Sequence, residues 1–112
     1  MSTVFDVLSD HSRRRILDLL RERPRLVGEL VAELGMSQPT VSKHLRTLRE
    51  AGLVQARPEA GRRRYELRAE PLAQLDAWLE PYRRLWSTGL DALEQHLDTM
   101  PDTGPDPQEQ LP

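Results

Sequence analysis

The chain has 112 residues, of which 38% are apolar and 30% charged, a balance that fits one globular domain with a modest core. It holds no cysteine, which excludes disulfides, thiolate metal sites and cysteine nucleophiles. The net charge of −2 hides an asymmetry: residues 37–68 carry eight basic against three acidic side chains, net +5, and residues 69–112 carry two basic against nine acidic, net −7. A basic segment of this kind suggests a surface for an anionic partner, with a solvated charged face as the bland alternative.

In chain order, residues 2–8 read as a short helix with Val4, Phe5 and Leu8 on one face. Asp10 is placed to cap a second helix through Ile16, Leu17 and Leu20, and Pro24 stops it. Residues 28–34 carry Leu30, Val31 and Leu34 at helical spacing, and Gly35 follows where a left-handed cap belongs. Ser37 caps the next helix, Pro39 is tolerated in its first turn, Val41, Leu45 and Leu48 form its buried stripe, and Gly52 ends it. Residues 53–57 read as a strand, residues 58–61 as a turn, and residues 64–68 as the returning strand. From Pro71 an apolar series in steps of three and four runs from Leu72 to Leu97 through Trp78, Tyr82 and Trp86. Pro81 lies inside it, where a kink or break is expected. Residues 99–112 are proline-rich and read as a disordered tail.

Residues 28–51 therefore have the pattern of a helix-turn-helix, and the second helix has the chemistry of a reader. With its apolar stripe inward, Pro39, Lys43, Arg46 and Glu50 point outward, flanked by Thr40, Ser42 and Thr47. Gln38 and Ser37 lie at the end that enters a groove first. Gln suits adenine, Arg and Lys suit guanine, and hydroxyls suit base or phosphate. His44 lies nearer the buried side and serves either phosphate contact or packing at the helix flank. Arg62, Arg63 and Arg64 follow Gly61 on the hairpin, and a phosphate or minor-groove contact is the natural use of three such cations, a solvated turn the alternative. The expected fold is mainly α with a two-stranded β wing, a winged helix-turn-helix in the order α-α-α-α-β-β-α, with residues 1–98 as the domain.

Two stretches make the reading specific. DHSRRRILDLL, residues 10–20, resembles the opening of ArsR-type repressors, with His11 where proline is usual. GELVAELGMSQPTVSKHLRTLREAGLVQARPEAGRRRYEL, residues 28–67, resembles that family's core motif and wing. The similarity covers roughly residues 4–97 and implies a homodimeric repressor of a double-stranded DNA operator. It also implies a dimer interface made by the first and last helices, here Phe5, Leu8, Leu75, Leu79, Tyr82, Leu85, Trp86, Leu90 and Leu93. Metal-sensing members use cysteines before the reader or paired Asp and His positions in the last helix. Here residues 29–33 are ELVAE and the last helix has one histidine, His96. The metal sites do not carry over, and the resemblance is to a subgroup without obvious metal ligands; no metal or other cofactor is expected.

No glycine-rich phosphate loop and no Ser/His/Asp spacing is present, and His11, His44 and His96 are scattered, so catalysis is not expected. A winged module that binds protein would not need Arg62 to Arg64. A small organic effector is compatible with DNA binding if Trp78, Tyr82 and Trp86 line a pocket, although core or dimer packing is the commoner use of such a stripe. No apolar run reaches the roughly 20 residues that span a bilayer, and residues 1–6 lack the features of a signal peptide. A cytoplasmic protein without membrane contact is expected.

Overall fold

The computed structural model describes residues 3–99. Its elements are α1 (Val4–Leu8), α2 (His11–Glu22), β1 (Arg25–Leu26), α3 (Val27–Leu34), α4 (Gln38–Glu50), β2 (Val54–Glu59), β3 (Arg62–Leu67) and α5 (Leu72–Thr99). They fall into two units, one ending at Trp78 and the other beginning at Leu79.

Local chemistry sets the helix starts. Thr3 accepts the Asp6 N–H at 3.2 Å while the Asp6 carboxylate takes the Thr3 N–H, a reciprocal cap. Asp10 accepts the Arg13 N–H at 3.0 Å, and Ser37 accepts the Thr40 N–H at 3.3 Å. Gly35, at φ 66°, turns the chain between α3 and α4 in the left-handed conformation that the absence of a Cβ makes cheap. Val7, Ile16, Leu17, Leu20, Leu30, Leu34, Val41, Leu45, Leu48, Leu53, Val54 and Tyr65 then close into one core. On α1 the buried residues are Val4 and Val7, and Phe5 is exposed. The expected face of Val4, Phe5 and Leu8 is therefore rotated.

The two-stranded wing expected from the sequence is part of a three-stranded antiparallel sheet in the order β1-β3-β2. Arg25 pairs with Tyr65 and Leu26 with Arg64. The Arg25 side chain is 6% exposed. Its Nε donates to the Leu19 carbonyl at 3.1 Å and a terminal nitrogen to Glu22 at 2.7 Å. A cation thus closes the C-terminal turn of α2, where the helix dipole favours it. The turn is also shorter than residues 58–61. Pro58 and Glu59 continue β2, paired with Arg63 and Arg62, and only Ala60 and Gly61 turn, at φ 49° and 78°. Pro58 is tolerated because β2 lies at the sheet edge, where a missing donor breaks no ladder.

α5 passes through Pro81 without a break, so of the kink or break expected there the break is absent. In the unit that begins at Leu79, this helix exposes Tyr82, Leu85, Trp86, Leu90, Leu93 and Leu97. Thr99, assigned to the tail from the sequence, is its last residue. The rest of the expected tail lies outside the described residues.

Candidate nucleic-acid interface

α4 divides as the wheel requires. Val41, Leu45 and Leu48 are fully buried, and Gln38, Pro39, Ser42, Lys43, Arg46, Arg49 and Glu50 are exposed. A cleft of about 220 Å³ on this face is lined by Pro39, Ser42, Lys43 and Arg46. A second, of about 410 Å³, is lined by Arg46, Arg49 and Glu50. Among the described residues, Lys43, Arg46 and Arg49 have no ion-pair partner. A row of like charges on one helix face builds a local positive potential that steers an anionic partner to it. Arg49 was missed from the sequence. Its signal was the step of three from Arg46, which continues the outward row.

Ser37 and Thr40 are spent differently. The Ser37 hydroxyl caps α4 and lies 2.8 Å from the Thr40 hydroxyl, and Thr40 is half-buried. His44 is half-buried too, on the side facing Asp10. The Arg13 backbone N–H holds the Asp10 carboxyl below its usual range, and the nearby charge of His44 and Arg13 lowers it further. Of the two sequence readings of His44, this placement fits the helix-flank one.

The three hairpin arginines do not form one cluster on a turn; they are consecutive residues of β3, so each faces the side opposite to its neighbour. Arg62 and Arg63 are exposed and, with Gln38, Gly28 and Tyr65, line a groove of about 610 Å³ between the wing and the start of α3. Arg64 is half-buried and engaged by groups of its own chain. Its Nε donates to Glu59, and a terminal nitrogen lies 3.9 Å from Glu29. The structure thus corrects the expectation that all three arginines are free for an anion, because Arg64 is held by two carboxylates. Glu29 also takes Arg23 at 2.8 Å and the Leu26 N–H at 3.1 Å. The Leu26 N–H, followed by the Arg23 guanidinium, keeps the Glu29 carboxyl below its ordinary value. Across the hairpin, Glu66 accepts from Gln55 and from Arg57, which lower its pKa in that order. Arg68 donates to Gln55 at 2.7 Å. Among the described residues no three His, Asp or Glu side chains are grouped to hold a metal.

A tight turn joins α3 to an exposed polar helix, and a basic hairpin stands beside it; this is the framework of a winged helix-turn-helix protein. Residues 10–56 match the family described as "Bacterial regulatory protein, arsR family". The HTH-type transcriptional regulator Rv2034 of Mycobacterium tuberculosis is 39% identical over 98 residues, 88% of this chain and 89% of that one. The arsenical resistance operon repressor of Staphylococcus xylosus is 36% identical over 80 residues, 71% and 77% of the two chains. The structure of an ArsR-like transcriptional regulator from Rhodococcus sp. RHA1 matches with TM-score 0.63 and 30% identity, covering 87% of this chain and 92% of that one. The homodimeric winged helix-turn-helix DNA-binding domain Mb0332 of Mycobacterium bovis matches with TM-score 0.59 and 34% identity, covering 72% and 75%. The chain belongs to the ArsR family of bacterial regulatory proteins.

Proposed function

We propose that this protein is a homodimeric repressor that binds double-stranded operator DNA, with α4 in the major groove and the wing on the backbone or minor groove. The observation that carries the reading is the row of exposed, uncompensated groups on α4 (Gln38, Ser42, Lys43, Arg46, Arg49) beside the groove lined by Arg62 and Arg63. Ser37, Pro39, Thr40 and His44 frame this surface; Ser37 and Thr40 act mainly through the cap that sets the angle of α4. The homodimeric state of the Mb0332 domain supports a two-fold arrangement. So does the apolar face of α5, where Leu85 is 68% and Leu90 64% exposed. A second copy covering Phe5, Leu75, Leu79, Tyr82, Leu85, Trp86, Leu90 and Leu93 removes that patch from water, while Leu8 packs against the core of its own chain. As an operator-binding protein it works where the chromosome is, in the cytoplasm, and a small organic effector tunes it.

Footprinting with the purified protein on DNA upstream of its own gene tests this. Two protected major-groove segments are expected, with centres roughly 10 base pairs apart, together with lower transcript yield from that promoter in vitro. Uniform binding to all sequences, or no binding at low salt, would sink the reading. Higher transcript yield on binding would overturn repression alone.

A further inference from the structure

Away from the reader face, a cleft of about 310 Å³ has a leucine floor drawn from four elements: Leu8 of α1, Leu17 of α2, Leu67 at the end of β3 and Leu72 at the start of α5. Its wall is cationic. Arg14, Arg15 and Arg21 of α2 line it against a single carboxylate, Asp18. Arg14 is fixed by a 2.7 Å hydrogen bond from one terminal nitrogen to the Leu8 carbonyl, which leaves its other donors. Arg15 and Arg21 are exposed and have no hydrogen bond or ion pair among the described residues. The volume is at the small end of the roughly 300–1,000 Å³ of small-molecule sites.

We infer that this cleft binds a small amphipathic organic anion, a monocarboxylate carrying an apolar chain or ring, as the effector of the protein. Apolar carbon displaces water from the four leucines, and the planar guanidinium forks of Arg15 and Arg21 take the carboxylate in paired hydrogen bonds. A bare phosphate would use the arginines and leave the leucine floor wet, so the floor favours a ligand with both parts. Leu67 ends the strand that carries Arg62 and Arg63, and Leu72 opens α5. The ligand therefore touches the root of the wing and the first turn of α5. Any difference in its affinity for two settings of these elements becomes a change in operator affinity. The effector role rests on the operator-binding reading; the binding site does not.

Calorimetry of the whole protein with octanoate, 4-phenylbutyrate, octan-1-ol and inorganic phosphate tests it, alongside operator mobility shifts. We expect saturable binding of one carboxylate per protomer by octanoate or 4-phenylbutyrate; the two arms tell a chain from a ring. Octan-1-ol should bind at least tenfold more weakly and phosphate not at all. The saturating carboxylate should shift operator affinity at least threefold. The double variant Arg15→Ala/Arg21→Ala should keep the parent's circular dichroism and ligand-free operator affinity, and lose carboxylate binding at least tenfold. Failure of both carboxylates to saturate, equal binding of octan-1-ol, or undiminished binding by the double variant each overturns the proposal. So does loss of operator affinity with carboxylate binding intact, which would make these arginines DNA contacts. Carboxylate binding by a protein that recognises no operator leaves the cleft standing and sinks the DNA reading.

Discussion

Glu29 is the residue that ties the wing to the helix-turn-helix. It lines the groove beside Arg62 and Arg63, yet its charge is consumed by Leu26, Arg23 and Arg64. Replacing it with Gln keeps an acceptor for Leu26 but removes the charge that pairs with Arg23 and one of the two carboxylates beside Arg64, leaving Arg64 to Glu59 alone. We expect Glu29→Gln to weaken operator binding without loss of helix content, measured by mobility shift and circular dichroism together. The same residue gives a pH signature. Glu29 and Glu66 are held below their ordinary 4.5, and Asp6 and Asp10 below 3.8. A carboxyl that ionises more readily folded than unfolded stabilises the fold above its ordinary value. That contribution disappears as pH falls through the lowered folded value. Thermal midpoints should therefore hold above the ordinary carboxylate range and decline below it. Glu29→Gln combined with Glu66→Gln should flatten the decline; an unchanged slope would contradict the assignment. Ala60 offers a gain instead. Its φ of 49° places a Cβ where an L-residue carries strain of about 1–2 kcal/mol, and Asn-Gly is the favoured pair for such a hairpin. Ala60→Asn should recover part of that strain and raise stability, measured by urea unfolding.

At the scale of elements, α4 and the wing divide the work. Substituting Gln38, Ser42 or Arg46 by Ala should cost about 1–3 kcal/mol of operator affinity and relax sequence preference. Arg62→Ala or Arg63→Ala should weaken all DNA alike and lower the salt slope by about 1, while Arg64→Ala should act as Glu29→Gln does. Binding measured over a salt series on operator and random DNA separates these classes. What was legible in the sequence follows the same division. The caps at Asp10 and Ser37, the turn at Gly35 and the stripe of Val41, Leu45 and Leu48 rest on neighbours within four residues, so they could be read directly. β1 could not, because two residues carry no period and Arg25–Leu26 is a strand only through Tyr65 and Arg64. Pro58 looked like a turn residue because its tolerance depends on lying at an edge, a property of the whole sheet. Arg64 looked free because its carboxylates, Glu29 and Glu59, come from α3 and β2.

For the whole molecule, the deciding quantity is the apolar surface on α5. Tyr82, Leu85, Trp86, Leu90, Leu93 and Leu97 are all at least 43% exposed, a patch that a soluble monomer rarely presents. Leu90→Lys or Trp86→Glu places a charge in that exposed face. Sedimentation should show the parent dimeric at micromolar concentration and the variants monomeric. Operator binding should fall with them, since a single reader helix loses half of a two-fold contact. A monomeric parent that still bound DNA tightly would remove the dimer from the account.

Pro81 extends this reasoning to motion. It has no backbone N–H, so the Ala77 carbonyl lacks its helical donor, close to the boundary between Trp78 and Leu79. Beyond that seam α5 has no buried residue, and most helical stability in proteins comes from packing an apolar face rather than from propensity. Its second half should therefore gain its order from association rather than from the core. Amide hydrogens of residues 82–99 should exchange fast in dilute protein and slow as concentration rises. Those of α4 should keep one protection factor throughout.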